Sequence, residues 1–265
     1  MALGECLCAG ERYDAAMESV RVPGFVPSLH GLRFANSFPP APIRRFRFGT
    51  LATLTVGDVA NGLCGGMTFV VADCFNAGVD APADAAAPPD GSALRLAIVE
   101  RQFDSFDGGR VPLRFYGLAL PIRPRRETGW ARALGRVGID VHSRMWLMAT
   151  REWPRVRRLL DAGRLVPLGL VRAVSWNPLD LARNHQVLAW GYDLDGGRLT
   201  LRIYDPNWSA DDEVTLTLDL GDPDGATPPM YSKADGPVVA FFKARYRFRV
   251  PAVSGPLSGP PGAPA

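Results

Sequence analysis

His185-Gln186-Val187-Leu188-Ala189-Trp190-Gly191-Tyr192, then Asp193-Leu194-Asp195-Gly196-Gly197-Arg198, then Leu199-Thr200-Leu201-Arg202-Ile203-Tyr204: this stretch decides the fold. Its two apolar-rich runs have strand length, and the Asp-Gly-Gly between them supplies residues that tolerate the positive φ of a tight hairpin turn. Further strands are expected around the hairpin. Arg164 to Ala173 is one, with Pro167 demoting it towards an edge or bulge because proline donates no ladder hydrogen bond. Glu213 to Leu218 alternates, and Val238 to Val250 reads as a long strand pair or one bent strand.

Towards the N-terminus the period becomes helical. Met67, Val70, Val71, Cys74 and Phe75 share a face over Gly65 to Ala77. Leu94, Ile98, Phe103 and Phe106 do the same over Leu94 to Phe106, with Ser92 placed to cap the first turn. Trp153 to Ala162 carries Pro154 in its first turn, puts Val156, Leu159 and Leu160 on one face, and stops at Gly163. Helices followed by an antiparallel sheet describe an α+β chain, a helical N-terminal lobe packed on a C-terminal β-sheet.

At 265 residues the chain suits one large domain or two small ones. Its 47% hydrophobic and 22% charged content is that of a globular protein. The 28 Gly and 24 Pro follow no period, which excludes collagen. Residues 1–25 are expected to be a loose arm, 26–250 the folded domain with a surface loop at 79–91, and 251–265 a disordered Pro/Gly-rich tail. No apolar run approaches the roughly 18 residues that span a bilayer, so no membrane partner is expected. The N-terminus lacks a basic start followed by an apolar stretch; a cytoplasmic location with four free thiols is the expectation. The net charge of +3 is too small to argue for nucleic acid. The Arg clusters at 44, 45 and 47, at 123, 125 and 126, and at 155, 157 and 158 read as solvated faces. Neither the cysteine spacing nor the acids near Gly196 forms a metal-ligand pattern, and no cofactor is expected. Oligomeric state is not legible.

Three segments carry chemistry. Asn61-Gly62-Leu63-Cys64-Gly65-Gly66-Met67 puts a thiol at a helix start, where unpaired N–H groups and the helix dipole favour an anion and so a thiolate. Asn184-His185-Gln186 opens the first hairpin strand with an imidazole, and Tyr204-Asp205-Pro206-Asn207 ends the second with a carboxylate. A turn centred on Gly196 makes paired residue numbers sum to 392. His185 then faces Asn207, with Asp205 its diagonal neighbour on the same side. A turn one residue off would put Asp205 on the opposite face. A carboxylate beside the ring orients an imidazole and stabilises its charged form. Cys64, His185 and Asp205 therefore read as a thiolate–imidazolium pair with an orienting acid.

On these three segments, across roughly residues 50–220, the chain resembles the papain-like cysteine peptidase superfamily. Within it the likeness is to the double-glycine (bacteriocin-processing) peptidase-like branch and bacterial proteins of that type. The resemblance implies Cys64 as nucleophile, His185 as general base and acid, Asp205 as orienting group, and a cleft between a helical lobe and a sheet. It implies a peptide or protein substrate and hydrolysis through an acyl-enzyme. The family's oxyanion-holding Gln, about six residues before the Cys, is Asp58 here, and an ionised carboxylate cannot donate to an oxyanion. Asn61 and the backbone N–H groups of Cys64 and Gly65 are the available substitutes; Gly66 and Asn207 complete the site-shaping set. Two alternatives stand beside hydrolysis: a catalytically idle papain-like domain that binds a peptide or protein partner, and a transglutaminase-like acyl transferase.

Overall fold

A computed structural model describes residues 17–38, 44–48, 52–56, 62–233 and 236–252. The chain runs β1 (Glu18–Arg21), α1 (Pro27–His30), the hairpin β2 (Arg44–Phe48) and β3 (Ala52–Val56), then the helices α2 (Cys64–Ala77), α3 (Ala93–Ser105), α4 (Arg110–Ala119), α5 (Gly129–Arg136), α6 (Arg144–Leu147) and α7 (Trp153–Asp161). The strands β4 (Val166–Val171), β5 (His185–Asp195), β6 (Arg198–Tyr204), β7 (Thr215–Asp219), β8 (Met230–Tyr231) and β9 (Ala240–Lys243) follow. Mixed helix and antiparallel sheet make this an α+β fold. The main sheet has the order β8-β7-β6-β5-β4-β9, and β1 pairs with the outer half of β5. Among the described residues no helix is long and apolar enough to cross a membrane.

The three helices read from periodicity are present. Ser92 caps α3 by accepting from the Arg95 N–H, and Gly163, at φ 68°, ends the turn after α7. Helix α2 is the centre of the molecule: every residue from Cys64 to Cys74 is buried, between α3 and β5. Two glycines allow this. A Cβ on Gly66 would lie 2.0 Å from the Ile98 carbonyl oxygen, and one on Gly65 would lie 2.3 Å from Ser105 Oγ. The first turn of α2 thus lies directly against α3.

Asp73 is the one acid on that buried helix. Arg101 Nε sits 2.7 Å from its Oδ2, and the Tyr246 hydroxyl and Arg249 N–H donate to Oδ1 at 2.7 and 3.0 Å. Burial still pushes the Asp73 carboxyl above its usual range. These bonds bind the last described residues across α2 and α3 as a strap, which Arg101 extends by donating to the Arg247 carbonyl.

Three expectations are corrected. Residues 18–25 are not a loose arm: β1 pairs Glu18 to Arg21 with Leu194 to Gly191, and Phe25 is buried. A four-residue strand is too short to show alternation, and polar contacts anchor it, such as Arg21 to Asp193 at 2.7 Å. Residues 1–16 and 253–265 lie outside the described residues. Pro167 is not on an edge; β4 lies between β5 and β9. Its carbonyl accepts from Ala244 N–H at 2.9 Å, and the reciprocal donor that proline lacks falls where the β9 ladder stops. The expected long strand over Val238 to Val250 is accordingly only Ala240–Lys243, with the strap beyond it. His142, in the loop before α6, is buried, stacked on Trp146 with centroids 3.8 Å apart and bonded to Glu127 at 2.8 Å.

Candidate active site

The hairpin positions two of the three residues, by a route the sequence arithmetic did not contain. The turn is Gly196-Gly197, so Asp195 pairs with Arg198, and paired numbers along the outer half sum to 393. This is the one-residue offset that would send Asp205 to the wrong face. A bulge between Ala189 and Gly191 absorbs it, with Trp190 as the extra residue; Ala189 pairs with Ile203 and Leu188 with Tyr204, restoring 392. The bulge lies where the neighbour of β5 changes from β4 to β1. Gly191 is required there, because a Cβ would approach the Val20 carbonyl oxygen to 2.6 Å. His185 and Asp205 therefore share a face.

Asp205 is fully buried, and its Oδ1 lies 2.6 Å from His185 Nε2. The same oxygen accepts the Asn207 N–H at 2.8 Å, and Oδ2 accepts the Tyr231 hydroxyl. Burial alone would raise this carboxyl, but His185 and the two further donors hold it below the usual range. With Nε2 engaged, His185 presents Nδ1 to Cys64, its hydrogen-bond partner on the other side of the ring. The Gln186 N–H also donates to Cys64 Sγ at 3.3 Å.

The electrostatics follow from this order. Burial would push the Cys64 thiol up; the charge and hydrogen bond of His185, with the Gln186 N–H, outweigh it and lower the thiol below its ordinary value. Burial disfavours a charged ring at His185, but Asp205 on one side and the sulfur on the other push it up to about 10. Cys74, ten residues along α2, is pushed up to about 11 by burial and by Asp73 and Asp80. A thiolate–imidazolium pair is favoured at Cys64 and a thiol at Cys74.

No family model, curated protein or solved structure matches this chain.

The site-shaping residues divide. At the start of α2, Gly66 N–H donates to Gln102 Oε1 at 2.8 Å. The Cys64 and Gly65 N–H groups have no acceptor among the described residues. They are the donors at the helix mouth that an oxyanion beside the sulfur would meet. Asn207 acts through its N–H on Asp205. Asp58 and Asn61 lie outside the described residues. Of the four cysteines, Cys64 and Cys74 are free thiols; Cys6 and Cys8 also lie outside the described residues. Among the described residues, no three His, Cys, Asp or Glu side chains form a metal cluster.

Sequence reading missed Tyr231, which sits in the two-residue strand β8 after Pro228-Pro229. Its strand is too short for periodicity, and only the pairing of β8 with β7 brings it to Asp205. Gln186 was also missed, because its contribution to the sulfur is a main-chain N–H, which no side chain announces.

Proposed function

We propose that the protein is a papain-like thiol hydrolase that cleaves a peptide or other amide bond through Cys64, His185 and Asp205. One observation carries the reading: a buried imidazole whose Nε2 is held 2.6 Å from a buried carboxylate and whose other face meets a thiol at a helix start. Supporting it are the opposed shifts of Cys64 and His185 and the two N–H groups beside the sulfur that have no acceptor among the described residues.

In this reading the Cys64 thiolate adds to the amide carbonyl carbon, forming a C–S bond while the carbonyl oxygen takes the negative charge. The oxyanion faces the Cys64 and Gly65 N–H groups. It collapses as the C–N bond breaks, and His185 passes its proton to the leaving nitrogen. Neutral His185 then takes a proton from water as the hydroxide adds to the thioester carbon; the adduct collapses with the C–S bond breaking, so the carboxylic acid leaves and Cys64 is again a thiolate beside the protonated His185. Asp205 keeps the ring oriented throughout and stabilises its charged form whenever it holds the proton.

The burial of Cys64, which is 6% exposed, favours a second reading, a binding domain without turnover. Incubation with a peptide library separates the two. Cleavage by the wild type that disappears in Cys64→Ala supports the hydrolase. Amine incorporation without cleavage would assign acyl transfer instead, and no reaction with any acyl donor would leave the binding domain. Iodoacetamide at pH 6 checks the ion pair directly: Cys64 should label well ahead of Cys74, and His185→Ala should abolish the preference.

A further inference from the structure

Cys64 and His185 belong to different parts of the fold, one on α2 and one on the sheet, and their separation must be fixed by something that spans both. We propose that Asn36 is the positioning residue that does this, a proposal that rests on the thiolate–imidazolium reading above. Its Oδ1 accepts the Leu63 N–H at 2.7 Å, immediately before Cys64. Its Nδ2 donates to Asn207 Oδ1 at 3.2 Å, and its own N–H donates to the Pro206 carbonyl at 2.9 Å. The amide orientation follows from the partners, since the Leu63 N–H requires an oxygen.

A closed ring of contacts results. From Leu63 it passes through Asn36 to Asn207, whose N–H holds Asp205; from Asp205 it passes to His185, and from His185 back to Cys64. Asn36 is the only member that belongs neither to the helix nor to the hairpin and its following turn. The segment is anchored by Phe34 and Phe38, both buried, with ring centroids 6.0 Å apart. Gly62 shows how closely the chain before Cys64 is drawn in: at φ 48°, a Cβ there would lie 2.3 Å from Asn36 Nδ2. The α2 helix start lacks a side-chain cap of its own, and Asn36 supplies from a distance the acceptor for the N-cap residue's N–H that the Glu or Gln of a capping box would give. It differs from a local cap in that its other end grips the acid-bearing turn.

The test is the pH profile of Cys64 alkylation by iodoacetamide, with the adduct mapped by mass spectrometry and folding followed by thermal melts. Wild type should show an acid limb below that of an ordinary thiol. Asn36→Ala should raise that limb by about one pH unit and slow labelling on it about 10-fold, because a thiolate farther from the imidazolium is less stabilised. Asn207→Ala cuts the bridge but keeps the Leu63 bond and the Asp205 N–H contact, so it should move the limb in the same direction by less. It decides the matter alone if Asn36→Ala does not fold. Variants that melt lower but keep the wild-type profile would reduce Asn36 to a structural cap and overturn the proposal while leaving the ion pair intact. A wild-type limb at the ordinary thiol position would overturn both.

Discussion

Asp205→Asn keeps the shape of the site and removes its charge. The asparagine oxygen can still accept from His185 Nε2 and the Asn207 N–H, and its amide can donate to a Tyr231 hydroxyl turned to accept. Two electrostatic effects then oppose each other. Asp205 stabilises the adjacent imidazolium and repels the thiolate across the ring. With an effective dielectric of about 20, unit charges roughly 4 Å apart interact by about 4 kcal/mol, and those roughly 8 Å apart by about 2 kcal/mol. The nearer effect wins. His185 should lose about 4 kcal/mol of support for its charged form, which is about three pH units. The charged pair should lose a net 2 kcal/mol or so against the neutral pair, on the order of 30-fold. Imidazole NMR titration measures the first quantity: the His185 transition should move down from about 10 towards neutrality. Iodoacetamide labelling of Cys64 at pH 6 should slow by as much as about 30-fold. A His185 transition that stays within half a unit or so of wild type would refute the argument, because a charge in contact at 2.6 Å cannot be removed without that effect.

Tyr231→Phe leaves Asp205 Oδ2 buried without its donor and should cost about 1–3 kcal/mol in urea unfolding at pH 7. Because the folded pKa of Asp205 is depressed, its stabilisation is present above the unfolded value and is lost as pH falls through the folded one, so the gap between wild type and variant should be full above the ordinary carboxylate range and close only as the pH falls below it. The linkage at His185 has the opposite sign. Its folded pKa is raised, so its stabilisation is full below pH 6.5 and declines as pH rises through the folded value. In a Cys64→Ser background, which removes the thiol's own linkage, denaturation curves should show that decline, and His185→Gln should flatten it. Two glycine substitutions should differ in sign. Gly66→Ala drives a methyl into the Ile98 carbonyl and should destabilise by about 1–3 kcal/mol, whereas Gly117→Ala, in α4 with open space around it, should stabilise by about 0.5–1 kcal/mol in the same urea assay.

Much of this arrangement is legible in the residues, and the illegible parts share a cause. The helices α2, α3 and α7 declare themselves because each repeats an apolar face over several turns. Helix α4 does not, although Val111, Phe115 and Leu118 are buried along it, because Gly108, Gly109, Pro112 and Gly117 read as loop punctuation. Pro112 is tolerated because it sits in the first turn, where a missing N–H breaks no helical bond. The pairing of His185 with Asp205 rested on a register sum that holds only for the inner half of the hairpin. Its outer half is offset, and Trp190 makes up the difference. A bulge depends on which strands lie alongside, here the change from β4 to β1, and that is a tertiary fact. Asn36 and Tyr231 are hidden for the same reason: each reaches the site through partners distant in sequence, from segments too short to show a period.

The strap over α2 has a consequence for how the protein is made. The helix bearing the sulfur is translated early, yet its buried aspartate receives its partners Tyr246 and Arg249 only from the end of the folded region. A chain emerging from the ribosome therefore carries α2 without these donors until Arg249 has been synthesised, and contacts of such sequence separation favour slow folding. Fragments that end before Tyr246 would keep Cys64, His185 and Asp205 but lose two of the donors that satisfy Asp73 on the same helix.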